Sequence, residues 1–194
     1  FIDSRFTDNT AAGGGGVLKL VKGSSRFEDC MIVRNTGASG GVLSTEANAQ
    51  SNIFLNCTIL SNTATGGGGV GSLGNGCTPI FYNCVIADNT AAGSGGVVYA
   101  GNYNGNIHFI SSVVTGNSAG KTGGVVYTAM ATSNRVHNIY FVNSIVTGNS
   151  AATAGDMIYG TVNVANNRVT YVHIHNSIYD EIVFSADMPD VEEL

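Results

Sequence analysis

Tryptophan is absent from the 194 residues, proline occurs twice, and charged side chains make up only 11%. Soluble proteins ordinarily carry about a quarter of charged residues. A helical bundle needs Lys, Glu and Arg on its wet faces, so this scarcity argues against one. The 8 basic residues are outnumbered by 13 acidic ones, for a formal net charge of -5. That leaves no footprint for a phosphate backbone, and nucleic acid is not an expected partner. No run of about 18 apolar residues is present to form a transmembrane segment. Nor does a basic stretch lead into an apolar one, as in a secretory leader. The first residue is Phe1 rather than Met, which predicts a processed product or a fragment.

What the chain does contain is glycine, 27 residues, about double the usual share. Hydrophobic residues are 43%, enough for a packed core and too many for an intrinsically disordered chain. Self-similarity organises them. Segments beginning at Phe1, Phe27, Phe54, Phe81, Phe109, Phe141 and Ile174 align, with starts 26, 27, 27, 28, 32 and 33 residues apart. The template is F-x-[DNS]-[CS]-x-[FIV]-x-x-N-[TS]-[AG], then Gly-Gly and a short aliphatic run. No helical period appears, and glycine and asparagine break each unit into short strands.

A period near 27 without helices predicts one coil of a parallel β-helix. The predicted fold is all-β, a right-handed single-stranded parallel solenoid of about seven coils with three strands each. At about 4.8 Å per coil the rod would be roughly 34 Å long. The handedness follows the rule for parallel crossovers. Residues 1–184 form the repeat domain, and the acidic residues 185–194 abandon the repeat as a cap or tail.

Stacked coils turn equivalent residues into ladders. Phe1, Phe27, Phe54, Phe81, Phe109 and Phe141 are expected to stack in the core. Phe6, Ile32, Ile59, Ile86, Val114 and Val146 form an aliphatic stack five residues on. Between these lies a small inward position, occupied by Ser4, Cys30, Cys57, Cys84, Ser112, Ser144 and Ser177. Asn9, Asn35, Asn62, Asn89, Asn117 and Asn149 mark an inward corner, where an amide can bond to the coils above and below. The Gly-Gly pairs recur in successive coils and lead into strands. They are therefore read as backbone devices, not as a phosphate loop, which opens a helix.

Function would lie on outward faces. If alternation begins directly after Gly-Gly, the first and third residues share a side. Lys19 at a third position would be costly inside, so that side is read as outward. It carries Val97, Tyr99, Val125, Tyr127, Met157 and Tyr159, the candidate binding or assembly face. Met31, Val85, Val113 and Ile145, with Thr7, Thr115 and Thr147, are apolar or uncharged outward positions of the neighbouring strand. A monomer rarely exposes so much contiguous apolar surface. Either a neighbouring subunit or domain covers it, or the tyrosines form a platform for sugar rings. The long polar stretches after Tyr99, Tyr127 and Tyr159 are the expected binding loops.

Chemistry is sparse. Cys30, Cys57 and Cys84 are in register, so a buried thiol stack and a disulfide both fit the spacing, while Cys77 stands outside it. Cys-x-x-Cys is absent and the histidines lie far from the cysteines, so no zinc site is expected. His173 and His175 share a strand face but lack a third ligand. Asp3 and Asp29 stack at one corner, yet Asn56 and Asn83 follow them, which favours turn formation. No triad or acid–base pair emerges, so neither an enzyme nor a cofactor is expected. Asn56-Cys57-Thr58 is the sole glycosylation sequon.

The repeat resembles those of the polymorphic outer-membrane protein family, through an F-x-x-N motif and a Gly-Gly-aliphatic motif. Phe6-Thr7-Asp8-Asn9 gives the first literally, and later coils place Ile or Val at the Phe. More broadly, the chain is similar to pectate-lyase-like right-handed parallel β-helices. The resemblance spans Phe1 to about Phe184. It implies a surface-exposed or secreted adhesin segment. The expected function is thus a non-enzymatic extracellular structural or adhesive module. Its partners would be further copies, neighbouring domains or cell-surface glycans. The alternative is a carbohydrate-binding or polysaccharide-active β-helix.

Overall fold

The computed structural model describes residues 1–47, 49–101, 105–129, 135–160, 168–180 and 192–193. Among these, every strand pairing is parallel and no helix occurs. The repeats wind into a β-solenoid with four sheets running along its length. One full coil shows the plan. Ala49–Leu55 lies in sheet A, Thr58–Leu60 in sheet B, Thr63–Ala64 in sheet C, and Gly71–Ser72 in sheet D. Each pairs with the next coil without slippage: Phe54 with Phe81, Ile59 with Ile86, Ala64 with Ala91 and Gly71 with Val98.

Sheets A and B have seven strands, sheet C five and sheet D six. Five turns therefore contribute to all four sheets, and partial turns flank them at both ends. The roughly three strands expected per coil are present, and sheet C adds a minor one. Its strands are two residues long, too short to leave a periodic signal.

The corners depend on local backbone chemistry. Sheet B is bracketed by two positions with left-handed backbone. The first carries Asp3, Asp29, Asn56, Asn83, Ser111, Asn143 and Asn176, with φ between 45° and 53°. The second carries Asp8, Arg34, Ser61, Asp88, Gly116 and Gly148. Asp, Asn and Gly tolerate this region, whereas other residues lose roughly 1–2 kcal/mol there. The repeat thus places its turn formers where the chain must bend.

Gly95 and Gly96 show why the template keeps two adjacent glycines. Gly95 has φ +73°, and a Cβ at Gly96 would lie 2.0 Å from the carbonyl oxygen of Gly124 in the next coil. The first glycine thus supplies a conformation and the second supplies clearance.

Inside, Phe27, Phe54, Phe81, Phe109 and Phe141 are fully buried, with ring centroids 4.9–5.1 Å apart in successive coils. Ile32, Ile59, Ile86, Val114 and Val146 form the second buried column. Each such side chain contributes roughly 1.5–3 kcal/mol by leaving water. Of residues 185–194 only Glu192–Glu193 are described. They pair in parallel with His173 and Ile174, extending sheet A.

Candidate functional site

The asparagine column is the most heavily hydrogen-bonded feature of the interior. Asn35, Asn62, Asn89 and Asn117 have no exposed surface. Asn89 Nδ2 donates to Asn117 Oδ1 at 2.9 Å and to the carbonyls of Ile59 and Ala87 at 3.0 Å. Its own Oδ1 accepts from the main chain and the side chain of Asn62. The amide thereby satisfies backbone groups that the bend would leave unpaired. The same relay joins Asn9 to Asn35 and Asn117 to Asn149.

A second polar column is built from thiols and hydroxyls. Ser112 Oγ donates to the carbonyls of Ile110 and, one coil away, Phe81. It accepts from the Cys84 main-chain N–H at 3.1 Å. Cys57 and Cys84 direct their Sγ atoms to the matching pairs of carbonyls. This explains why serine and cysteine both occupy the position: each is small and shares its one proton between two carbonyls. All four cysteines are free and buried. The neighbouring Cys57 thiol and burial together push the Cys84 thiol up. Burial also raises that of Cys77, whose sulfur accepts from Asn52 Nδ2 at 3.0 Å.

The expected outward face on sheet D needs correction. Val42, Val70, Val97 and Val125 are 0% exposed and Met157 is 1%. They belong to the core. Alternation starts one residue later than expected, because the valine sits in the bend. The N–H groups of Val97 and Val98 both donate to the carbonyl of Val125, so two consecutive residues turn inward. Strand order then resumes, and Tyr99, Tyr127 and Tyr159 are half-buried outward residues in register.

Those tyrosines do stack, with centroids 5.1 Å and 5.8 Å apart and planes within 17°. Their π faces therefore cover one another, and mainly ring edges meet solvent. Burial, with the flanking tyrosines, raises the Tyr127 phenol. A flat sugar platform needs an open ring face, which this packing removes from Tyr127 in particular.

Exposed large hydrophobics concentrate elsewhere. Met31, Val85, Ile145 and Ile178 lie on sheet B, and Tyr82 and Tyr171 on sheet A. The rest, Phe1, Ile2 and Val21, lie in the first coil and the link that follows it. Sheet B thus carries the apolar outward row expected from the sequence. The outer face of sheet A was missed. Its outward residues include Ile53, Leu55, Ile80, Tyr82, Ile110, Tyr140 and Val142. The alternation around each core phenylalanine would have revealed them.

On the same face, His108, Tyr140 and His173 stack with centroids 4.6 Å and 4.5 Å apart. Burial lowers the His108 pKa. Asn138 Nδ2 donates to Asn106 Oδ1 at 3.0 Å, and His173 Nε2 lies 3.3 Å from Asn138 Oδ1. His173 and His175 both face outward. Among the described residues, no group of three or more His, Cys, Asp or Glu converges as a metal site would require.

Asp3 and Asp29 occupy the left-handed corner, as a turn-forming role demands. Asp29 Oδ1 accepts from Asn56 Nδ2 at 3.0 Å, and Asn56 Oδ1 accepts from Asn83 Nδ2 at 2.9 Å. The sequon asparagine Asn56 is therefore exposed but engaged in a column of its own. Asp8 is held below the usual carboxylate range by Arg34 and then Thr7, which bond to it. The expected loops fall mostly on residues 102–104, 130–134 and 161–167, outside the described residues. Among described residues, no helix is long and apolar enough to cross a membrane.

The architecture is that of a parallel β-solenoid, consistent with the pectate-lyase-like β-helices. No protein-family model, curated protein or solved structure matches the chain.

Proposed function

We propose that the chain is a non-enzymatic structural and adhesive module of the cell exterior, acting as a rigid spacer that presents uncharged faces for assembly. One observation carries the reading. The interior is committed to unbroken ladders, while exposed large hydrophobics line sheets A and B. Buried columns of identical residues give stiffness, because each coil's hydrogen bonds are completed by its neighbours. Outward apolar rows give adhesion, since a soluble monomer rarely keeps such surface in water. Resemblance of the repeat to polymorphic outer-membrane proteins supports an extracellular setting.

A carbohydrate-binding reading is weaker, because the tyrosine faces are occupied by one another.

Negative-stain electron microscopy over a concentration series tests the proposal. Rods associating laterally or end to end are the expected result. Isolated short rods at every concentration, with no binding to cell surfaces, would overturn it.

A further inference from the structure

We infer that the outer face of sheet A is the docking surface for a second copy of this chain, sheet against sheet. The inference rests on the assembly reading and names the face that serves it. Two outward columns define the surface. One runs Glu28, Leu55, Tyr82, Ile110, Val142, His175. The other runs Arg26, Ile53, Ile80, His108, Tyr140, His173 along the same six strands.

Charge selects the occupant. Arg26 and Glu28 neutralise each other at 3.0 Å at one end of the face. Between that pair and the two histidines, neither column holds an Asp, Glu, Lys or Arg. A second copy therefore brings no like charges together over the middle of the face. A highly charged partner would find nothing to pair with there and would strip its own hydration without return.

Size is consistent with a pair. Six strands at about 4.8 Å by five residues at about 3.3 Å give about 500 Å² per copy, hence about 1,000 Å² for both. That reaches the lower bound for a specific interface of about 1,000 Å². Dimerisation should therefore be concentration-dependent and of modest affinity.

Sedimentation velocity on wild type and Ile80→Lys tests the face. Arg26 shares that column, so a cation there is compatible with the fold, and circular dichroism with a melting curve checks this. Wild type should dimerise with rising concentration, and Ile80→Lys should weaken the dimer at least tenfold. Ser72→Lys, outward on sheet D in the row that holds Lys19, should leave it unchanged. Wild type that dimerises or assembles equally well as Ile80→Lys overturns this face while leaving the assembly reading intact. Wild type that stays monomeric at all concentrations overturns both.

Discussion

The main-chain N–H and the side-chain Nδ2 of Asn62 both donate to a single atom, Oδ1 of Asn89, each at 2.9 Å. One oxygen in one coil thus ties the backbone and the side chain of the coil before it. Replacing Asn89 by Ala removes the acceptor of the buried Asn62 main-chain N–H and takes one partner each from Asn62 Nδ2, Asn117 Oδ1 and the carbonyls of Ile59 and Ala87. A buried group left without a partner costs roughly 1–3 kcal/mol, partly relieved by relaxation. We expect Asn89→Ala to lose about 3–4 kcal/mol in denaturant unfolding. A loss below about 1 kcal/mol would show that the column is decorative.

The corrected orientation of sheet D yields a paired prediction. Met157 is core and Tyr159, two residues on, faces out at the end of the tyrosine stack. Met157→Ala should cost about 2–5 kcal/mol, the range for large-to-small core changes. Tyr159→Ala removes one ring pair and should cost about 1 kcal/mol. Thermal melts of the two variants decide the orientation directly, since an outward Met157 would reverse the ranking.

Backbone demands at the corners predict changes of opposite sign. A methyl at Gly96 meets the Gly124 carbonyl at 2.0 Å, and that atom is main chain that cannot step aside. Gly96→Ala should therefore destabilise by about 3 kcal/mol. Ser61 sits at φ 54°. Ser61→Gly relieves about 1–2 kcal/mol of left-handed strain and gives back about 0.5–1 kcal/mol through a freer unfolded chain. The net expectation is a small rise in melting temperature.

Acid sensitivity has a named contributor. Burial holds the His108 pKa below its ordinary value of 6.5. The unfolded chain therefore binds the proton more readily than the folded one. Stability from this group is complete above about 6.5 and declines as pH falls through the lower folded value. His108→Phe should flatten melting temperature against pH on the acid side of 6.5. An unchanged acid limb would assign it to other groups.

The thiols should behave as one buried set. Cys30, Cys57, Cys77 and Cys84 are free and enclosed, and the raised Cys77 and Cys84 pKa values further disfavour the reactive thiolate. An aromatic disulfide reagent should label none of them quickly in the native protein and all four in denaturant. Rapid native labelling of any one would show a local opening at that coil.

Much of the fold was legible because a solenoid repeats one local solution. The spacing of Phe27, Phe54 and Phe81 states the coil length, and the recurrence of Asn35, Asn62 and Asn89 states where each coil bends. The left-handed corners were foreshadowed by Asp29, Asn56 and Asn83, residues that adopt that backbone at little cost. Arg34 and Ser61 gave no such signal, because a neighbour's geometry overrides their own preference.

What the sequence determined alone was the set of ladders, because identical residues one coil apart must meet when the coils stack. What only the tertiary structure decided was which way the residues beside the bends point. Val97 and Val98 both turn inward because their N–H groups share one carbonyl acceptor in the next coil. Alternation is a property of a strand, and the point at which a strand begins is fixed by partners about a coil away in the chain. The broad apolar face of sheet A emerged in the same way, once that registry had set Ile80 and Tyr82 outside and Phe81 within.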